Sequence, residues 1–255
     1  MGTDGRIDLS GMVVVITGAS RGIGAAMAER LGQCHASVAV NYHASRDRAQ
    51  EVVARVEAAG GRAIAIQADV RNPDQVDRMI DTVVETFGGV HGLINNAHID
   101  FSVRPFTQLS WNDFSAKLIG ELGVAFHCVQ SVLRFMVPLG RGKLVFVSST
   151  LSRYPGPGFS AHAAAKSAID SLAKSLALEL GPQGITVNVI APGLIETDAT
   201  ADQPAEMKRG YAARVPLRRI GQPEDVAGLA VFLMSPLSDY MTGQYLSVNG
   251  GFFMP

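Results

Sequence analysis

Seven short apolar runs, alternating with longer stretches of helical spacing, dominate this chain and restrict what it can fold into. The runs are Met12–Thr17, Ser37–Asn41, Ala63–Gln67, Gly92–Asn95, Lys143–Ser148, Thr186–Ile190 and Tyr245–Val248. Several are apolar on both faces, as parallel strands covered by helices above and below must be. Helices are expected at Gly22–Gln33, Arg46–Ala59, Pro73–Phe87, Phe114–Met136, Ala163–Leu180 and Pro223–Met234. Asn72-Pro73 and Gln222-Pro223 place proline at the first helical position, and Gly60-Gly61 and Gly88-Gly89 stop the helices before them. This alternation predicts an α/β fold, a doubly wound Rossmann-type parallel sheet of about seven strands with right-handed crossovers. The 255 residues contain no repeat, low-complexity tract or linker, so a single domain over residues 1–255 is expected. Glu196–Arg214 has the weakest pattern and reads as a loop, a candidate substrate lid over residues 196–214.

Charge and cysteine usage narrow the function classes. The formal net charge is -1 with no long run of one sign, which argues against nucleic acid or an anionic membrane surface as partner. Cys34 and Cys128 each sit in an apolar helical pattern and read as core thiols in a reducing compartment. No 18-residue uninterrupted apolar stretch is present and the first six residues are polar, so neither a membrane span nor a signal peptide is expected; the cytoplasm is the default. The six histidines lack ligand spacing, and no metal is expected.

The first run leads into Thr17-Gly18-Ala19-Ser20-Arg21-Gly22-Ile23-Gly24, and a helix follows at once. Glycines here let the backbone turn sharply and approach a pyrophosphate, which then sits at the positive end of the helix. The spacing is G-x-x-x-G-x-G rather than G-x-G-x-x-G. A glycine-rich loop alone can be a structural turn; its place between a buried strand and a helix makes dinucleotide binding the better reading.

With this loop, Ala68-Asp69-Val70, Asn95-Asn96-Ala97, Ala191-Pro192-Gly193-Leu194-Ile195-Glu196-Thr197 and the stretch from Met241-Thr242-Gly243-Gln244 to Asn249-Gly250-Gly251, the chain resembles the short-chain dehydrogenase/reductase family over nearly its whole length. The nearest branch is the one that contains 3-oxoacyl-ACP reductases. The resemblance implies cofactor contacts at Gly18, Ser20, Arg21, Gly22, Ile23 and Gly24 in the loop, and at Tyr42 and Ser45 after the second strand. It implies further contacts at Asp69, Val70, Asn95, Ala97, Lys166, Pro192, Gly193, Ile195 and Thr197. Charge points to NADP(H). Members that prefer NAD place an acid at the end of the second strand, whereas this strand ends Val40-Asn41-Tyr42-His43 with no acid before Asp47. Arg21 and Arg46 would favour a 2′-phosphate, unless both simply face solvent.

The resemblance also implies a catalytic set, and here the chain departs from it. Ser149 and Lys166 match the family's serine and lysine. The residue four before Lys166 is His162 where the family has tyrosine, Glu121 stands at the asparagine position of the fourth helix, and His98 stands where Asn-Asn-Ala is followed by glycine. An ammonium lowers a neighbouring phenol from about 10 but pushes an imidazole below about 6.5. His162 beside Lys166 is therefore expected to be neutral, able to accept a proton and poor at giving one. Glu121 would reverse this if it lay against His162, because unit charges 4 Å apart interact by about 4 kcal/mol at an effective dielectric of 20. Tyr154, in the turn-rich stretch Tyr154-Pro155-Gly156-Pro157-Gly158, is an alternative donor or only a packing residue.

Three functional readings follow. The first is an NADP(H)-dependent oxidoreductase interconverting a carbonyl and a hydroxyl on a small organic substrate, using Ser149, His162, Lys166 and Glu121. The second is reduction of a conjugated C=C bond, as in dienoyl-CoA reductases, which keep the lysine without the tyrosine. The third is a cofactor-binding protein with non-redox chemistry or none. The resemblance also implies a homo-oligomer, a tetramer or dimer. The apolar end Gly251-Phe252-Phe253-Met254-Pro255 suits burial at a subunit interface or within one subunit.

Overall fold

A computed structural model describes residues 7–254; the polar N-terminal residues and Pro255 considered above lie outside the described residues. The elements run β1 (Val13–Ile16), α1 (Gly22–Gly32), β2 (Ser37–Tyr42), α2 (Arg46–Ala58), β3 (Arg62–Gln67), α3 (Pro73–Phe87), β4 (Gly92–Asn95), α4 (Trp111–Leu139) and β5 (Gly142–Val147). They continue with α5 (Ser160–Leu180), β6 (Ile185–Pro192), α6 (Asp198–Ala201), α7 (Ala205–Arg214), α8 (Pro223–Met234) and β7 (Tyr245–Val248). The seven strands form one parallel sheet in the order β3-β2-β1-β4-β5-β6-β7. Strand order reverses between β1 and β4, which opens a crevice at the carboxyl ends of those two strands, the usual ligand position in such sheets.

Side-chain alternation along each strand divides the core in two. Val14 and Ile16 join the apolar layer under α1, α2 and α8, whereas Val13 and Val15 join the layer under α3, α4 and α5. Helix ends follow from local chemistry. Asn72 caps α3 by accepting from the Gln75 N–H at 3.1 Å, and Gly88, at φ 84°, closes it in the left-handed region. Val76, Met79, Ile80 and Val83, spaced for one face, are its buried residues.

Two expectations need correction. The stretch 196–214 is not a loop: it carries α6, opened by a Thr197–Thr200 capping box, and α7. Neither helix buries a residue, so no apolar stripe marked them in the sequence. The fourth helix is longer than Phe114–Met136, because Ser110 caps it by accepting from the Asp113 N–H at 3.0 Å and it runs on to Leu139. By length and composition α4 could span a bilayer. Here it lies between α3 and α5, with Val124, Ala125, Cys128, Val129 and Val132 in the core.

Candidate active site

The glycine loop is held from both sides by side chains at neighbouring strand ends. Thr17 Oγ1 accepts from the N–H groups of Asn96 (2.9 Å) and Ala97 (3.0 Å), and the Asn96 amide donates to the carbonyls of Thr17 (2.9 Å) and Gly18 (3.1 Å). From β2, Asn41 accepts from the Gly18 N–H at 3.1 Å and donates to the Ala68 carbonyl at 3.1 Å. The roles of Asn41 and Asn96 were missed in the sequence. The available signal was an amide at the end of an otherwise apolar strand, a costly place for a polar group unless it holds something.

The residues fit a dinucleotide. A Cβ at Gly24 would lie 2.6 Å from Asn96 Nδ2 and 2.7 Å from the Gly18 carbonyl, so only glycine lets α1 start this close to the loop. The first turn of α1 holds no acid and its N-terminus has no side-chain cap, leaving a positive helix end for an anion. Thr197, far away in sequence, sits over Gly22, where a Cβ would lie 3.4 Å from its Cγ2. An Arg48–Asp198 ion pair ties the start of α6 to α2 across the same crevice. Pro192 ends β6 and Gly193 follows it, and Ile195 is buried with its backbone bridged to Gly221.

Arg21 in the glycine loop and Arg46 at the start of α2 are exposed, and Ser45 precedes α2 without a side-chain capping bond. Tyr42, at the end of β2, is 6% exposed and belongs to the apolar core, which leaves its backbone to face the strand end. Asp69 accepts from two Arg71 guanidinium nitrogens, Nε (2.8 Å) and Nη2 (2.7 Å), which keep its carboxyl down at about 2. Val70 is buried beside it.

Further along the crevice, β5 delivers Ser149 and α5 delivers His162 in its first turn and Lys166 one turn later. Ser149 Oγ accepts from the Leu151 N–H (3.2 Å), and its carbonyl accepts from the Tyr245 hydroxyl (3.2 Å). Lys166, 5% exposed, donates to Glu121 Oε2 (2.9 Å) and to the Val147 carbonyl (2.9 Å). Glu121 Oε1 accepts from Lys117 Nζ and from the Ile99 N–H (3.1 Å). Lys117 was missed entirely; four residues before Glu121, it reads in sequence as half of a solvated helix pair. Burial works against the Glu121 carboxylate, but Lys166 and then Lys117 outweigh it and hold the group at about 2. Burial pulls Lys117 down to about 8, against the pull of Glu121, so this buried pair on α4 is charged at neutral pH. Both polar atoms of the buried Asn95 side chain lack a partner; Asn95 lines a small cavity with Ala97, Glu121 and Lys166.

His162 stacks on Phe101 with ring centroids 4.5 Å apart and 14° between planes, and its Nδ1 is buried without a partner. The alternative in which Glu121 lies against His162 is not realised, because both carboxylate oxygens are taken by lysines. Burial, then Lys166, then Lys117 bring His162 down to about 3, with Glu121 opposing too weakly to reverse the shift. His98 is likewise lowered, by partial burial and then the two lysines, and lies 3.6 Å from Asp100. Tyr154 packs edge-on to Phe252 (5.6 Å) and stacks with Phe253 (5.7 Å). Phe252 also meets Tyr211 of α7 (4.6 Å), so the aromatic C-terminal residues pack within the subunit while Met254 is exposed. Among the described residues no group of three or more His, Cys, Asp or Glu gathers to hold a metal ion.

These shifts have a consequence for acid stability. An unfolded histidine binds its proton near pH 6.5, whereas folded His162 does so only near 3. Between those values the unfolded state binds more protons, so stability falls as pH falls. The depressed Glu121 carboxyl acts in the same direction at lower pH, its contribution being lost as pH drops from about 4.5 towards 2. The melting temperature should therefore decline from pH 7 to pH 4. His162→Phe, which keeps an aromatic ring on Phe101, should flatten that decline; an unchanged slope would mean that His162 is not buried neutral.

A family model described as Enoyl-(Acyl carrier protein) reductase matches residues 18–253. The chain is 38% identical over 247 residues to a 3-oxoacyl-[acyl-carrier-protein] reductase of Synechocystis sp., covering 96% of this chain and 98% of that protein. It is also 38% identical over 247 residues to 3beta-hydroxysteroid dehydrogenase 1 of Eggerthella lenta, covering 96% and 94%. A crystal structure of a short-chain type dehydrogenase/reductase from Mycobacterium marinum superposes with a TM-score of 0.91 at 34% identity, covering 98% of each chain.

Proposed function

Because the chain belongs to the short-chain dehydrogenase/reductase family, we propose that it is an NADP(H)-dependent oxidoreductase interconverting a carbonyl and a hydroxyl on a small organic substrate, with His162 in place of the usual proton donor. The family and its 3-oxoacyl-ACP reductase-like branch establish an oxidoreductase that uses a nicotinamide cofactor. The observation that carries the finer reading is Lys166 bonded to the Val147 carbonyl, two residues before Ser149 and one α5 turn after His162, at the same carboxyl end of the parallel sheet as the glycine loop.

A dihydronicotinamide bound here would supply the hydride. Gly18, Ser20, Gly22, Ile23 and Gly24 would hold its pyrophosphate, and Asp69, Val70, Asn95, Ala97, Pro192, Gly193, Ile195 and Thr197 would line the rest of its seat. Ser149 polarises the substrate oxygen. Lys166 would hold the ribose hydroxyls and, as an ammonium, favour negative charge developing on that oxygen. A ring held down at about 3 cannot wait as imidazolium at neutral pH. A neutral imidazole can instead hold a water at Nε2, and the proton drawn from bulk solvent through that water reaches the substrate oxygen, so no hydroxide is left and the ring carries no charge beside two ammoniums.

The phosphate preference rests on Arg21 and Arg46 and on the lack of an acid at the end of β2. NADPH should bind more tightly than NADH by fluorescence titration. Arg46→Glu should cost NADPH about 10- to 100-fold, the size of one charge-assisted phosphate contact, with little effect on NADH. Equal affinities for the two cofactors would overturn the assignment. One observation favours a second reading, conjugated C=C reduction: with His162 so weakly basic, no strong acid stands ready for a carbonyl oxygen. Following NADPH absorbance with ketones, enones and enoyl thioesters separates the two readings. We also place the protein in the cytoplasm as a homo-oligomer, a dimer or tetramer, consistent with its unpaired cysteines and with exposed Ile119 and Phe126 on α4.

A further inference from the structure

The roles assigned above leave one charge of the buried triad unused. Lys117 has no solvent exposure, so it cannot itself touch substrate or cofactor. A buried ammonium carries a desolvation penalty of several kcal/mol that good pairing must offset, and the partners of Lys117 are informative. Its Nζ donates to the Ile99 carbonyl (2.5 Å) and to Glu121 Oε1, and lies 4.9 Å from the centre of the Phe101 ring. The Ile99 N–H donates to the same Glu121 oxygen (3.1 Å), so both backbone polar groups of Ile99 are tied to one pair on α4. Two residues on, the Phe101 ring that meets Lys117 also stacks on His162. The other Glu121 oxygen holds Lys166. One connected set of contacts thus runs from the segment after β4 to both α5 side chains at the proton-handling end.

The charge count has the same logic. Glu121 alone beside Lys166 would cancel the ammonium that the proposed chemistry needs. With Lys117 the triad keeps one net positive charge.

We propose that Lys117 is a positioning residue of this active site: it clamps Ile99 and Phe101 so that the His162 ring lies flat in the crevice, and it balances Glu121 so that Lys166 keeps net positive surroundings. This rests on reading His162 and Lys166 as the proton-handling pair, so its test uses cofactor-free protein, in which turnover plays no part.

The groups facing His162 are Lys166 on its own helix, Lys117 and Glu121 on α4, and His98 after β4, with Asp100 beside His98. Removing Lys117 alone leaves Glu121 opposing Lys166, and removing Glu121 as well restores an uncancelled Lys166. NMR titration of the His162 imidazole should therefore show its midpoint rising by about one unit in Lys117→Met and returning towards wild type in Lys117→Met/Glu121→Gln. In both variants the ring-current displacement of the His162 Cε1 proton by Phe101 should shrink, because Ile99 and Phe101 lose their clamp. If the single variant does not fold, the double variant, which leaves neither α4 charge without its partner, still reads the ring-current change. A structural staple would change the melting temperature alone. An unmoved midpoint in a folded Lys117→Met protein, or an unchanged ring-current displacement in the double variant, overturns the proposal. If both NMR results hold while the ketone panel shows no NADPH consumption, the proposed carbonyl chemistry fails and the positioning role stands.

Discussion

Replacing His162 by tyrosine is expected to raise kcat/KM for NADPH-driven ketone reduction by about 10²–10⁴-fold, the range that a placed general acid contributes. At pH 7 a ring held at about 3 is protonated in roughly one molecule in 10⁴, so the wild-type site relies on a neutral ring and water. A phenol in the same first turn of α5 responds oppositely to the same surroundings. The lysines that destabilise imidazolium stabilise phenolate, bringing a group of ordinary value about 10 closer to the working pH. Glu121 limits the benefit because its carboxylate is 2.9 Å from Lys166 Nζ. His162→Tyr with Glu121→Asn should therefore gain more than the product of the two single changes, since they act on one coupled group. Steady-state kinetics with a simple ketone would show this. No gain in the single or the double variant, with NADPH affinity retained, would mean that the pocket does not present a carbonyl to this position, and would favour C=C reduction.

Legibility in the sequence followed burial. The parallel strands read directly, because strands covered on both faces are nearly continuous apolar runs; β1, with all four residues buried, is the plainest case. Amphipathic α3 read to the residue at both ends because a capping asparagine, a proline and a left-handed glycine mark it. The helices of 198–214 did not, since they bury nothing and their sequence follows local preference alone. In the site, motif order nominated Ser149, His162, Lys166 and Glu121, and Lys166 by itself gave the direction of the His162 shift, although burial is its larger cause. What the sequence withheld was partner choice. Glu121 has two oxygens, and only the packing of α4 against α5 decides that Lys117 and Lys166 take them and His162 does not. Tyr42 shows the same limit: position in a motif said nothing of the ring's burial in the core.

Gly24→Val is expected to weaken NADPH binding by about 10²–10⁴-fold while leaving a folded protein, because the new side chain strikes what shapes the cofactor seat. A Cβ there would lie 2.6 Å from Asn96 Nδ2, 2.7 Å from the Gly18 carbonyl and 2.9 Å from Ala19 Cα. Two of these atoms are backbone and cannot swing aside. The third belongs to the amide that pins the Thr17 and Gly18 carbonyls, so moving it releases the loop. Overpacking of this kind typically costs about 1–3 kcal/mol of stability, and α1 must retreat from β1 to accommodate it. Retreat carries its first-turn N–H groups out of reach of a pyrophosphate. Losing two charge-assisted bonds of about 1.5–3 kcal/mol each gives the stated range. Gly88→Ala supplies the contrast. It sits at φ 84° with nothing within 4 Å of an added Cβ, at the far end of α3, so it should cost about 1–2 kcal/mol of stability through backbone strain and nothing in affinity. Calorimetric titration with NADPH beside thermal melts would separate the two effects. Undiminished affinity in Gly24→Val would remove the glycine loop from the cofactor site, and with it the placement of every residue argued from that loop along the crevice to Lys166.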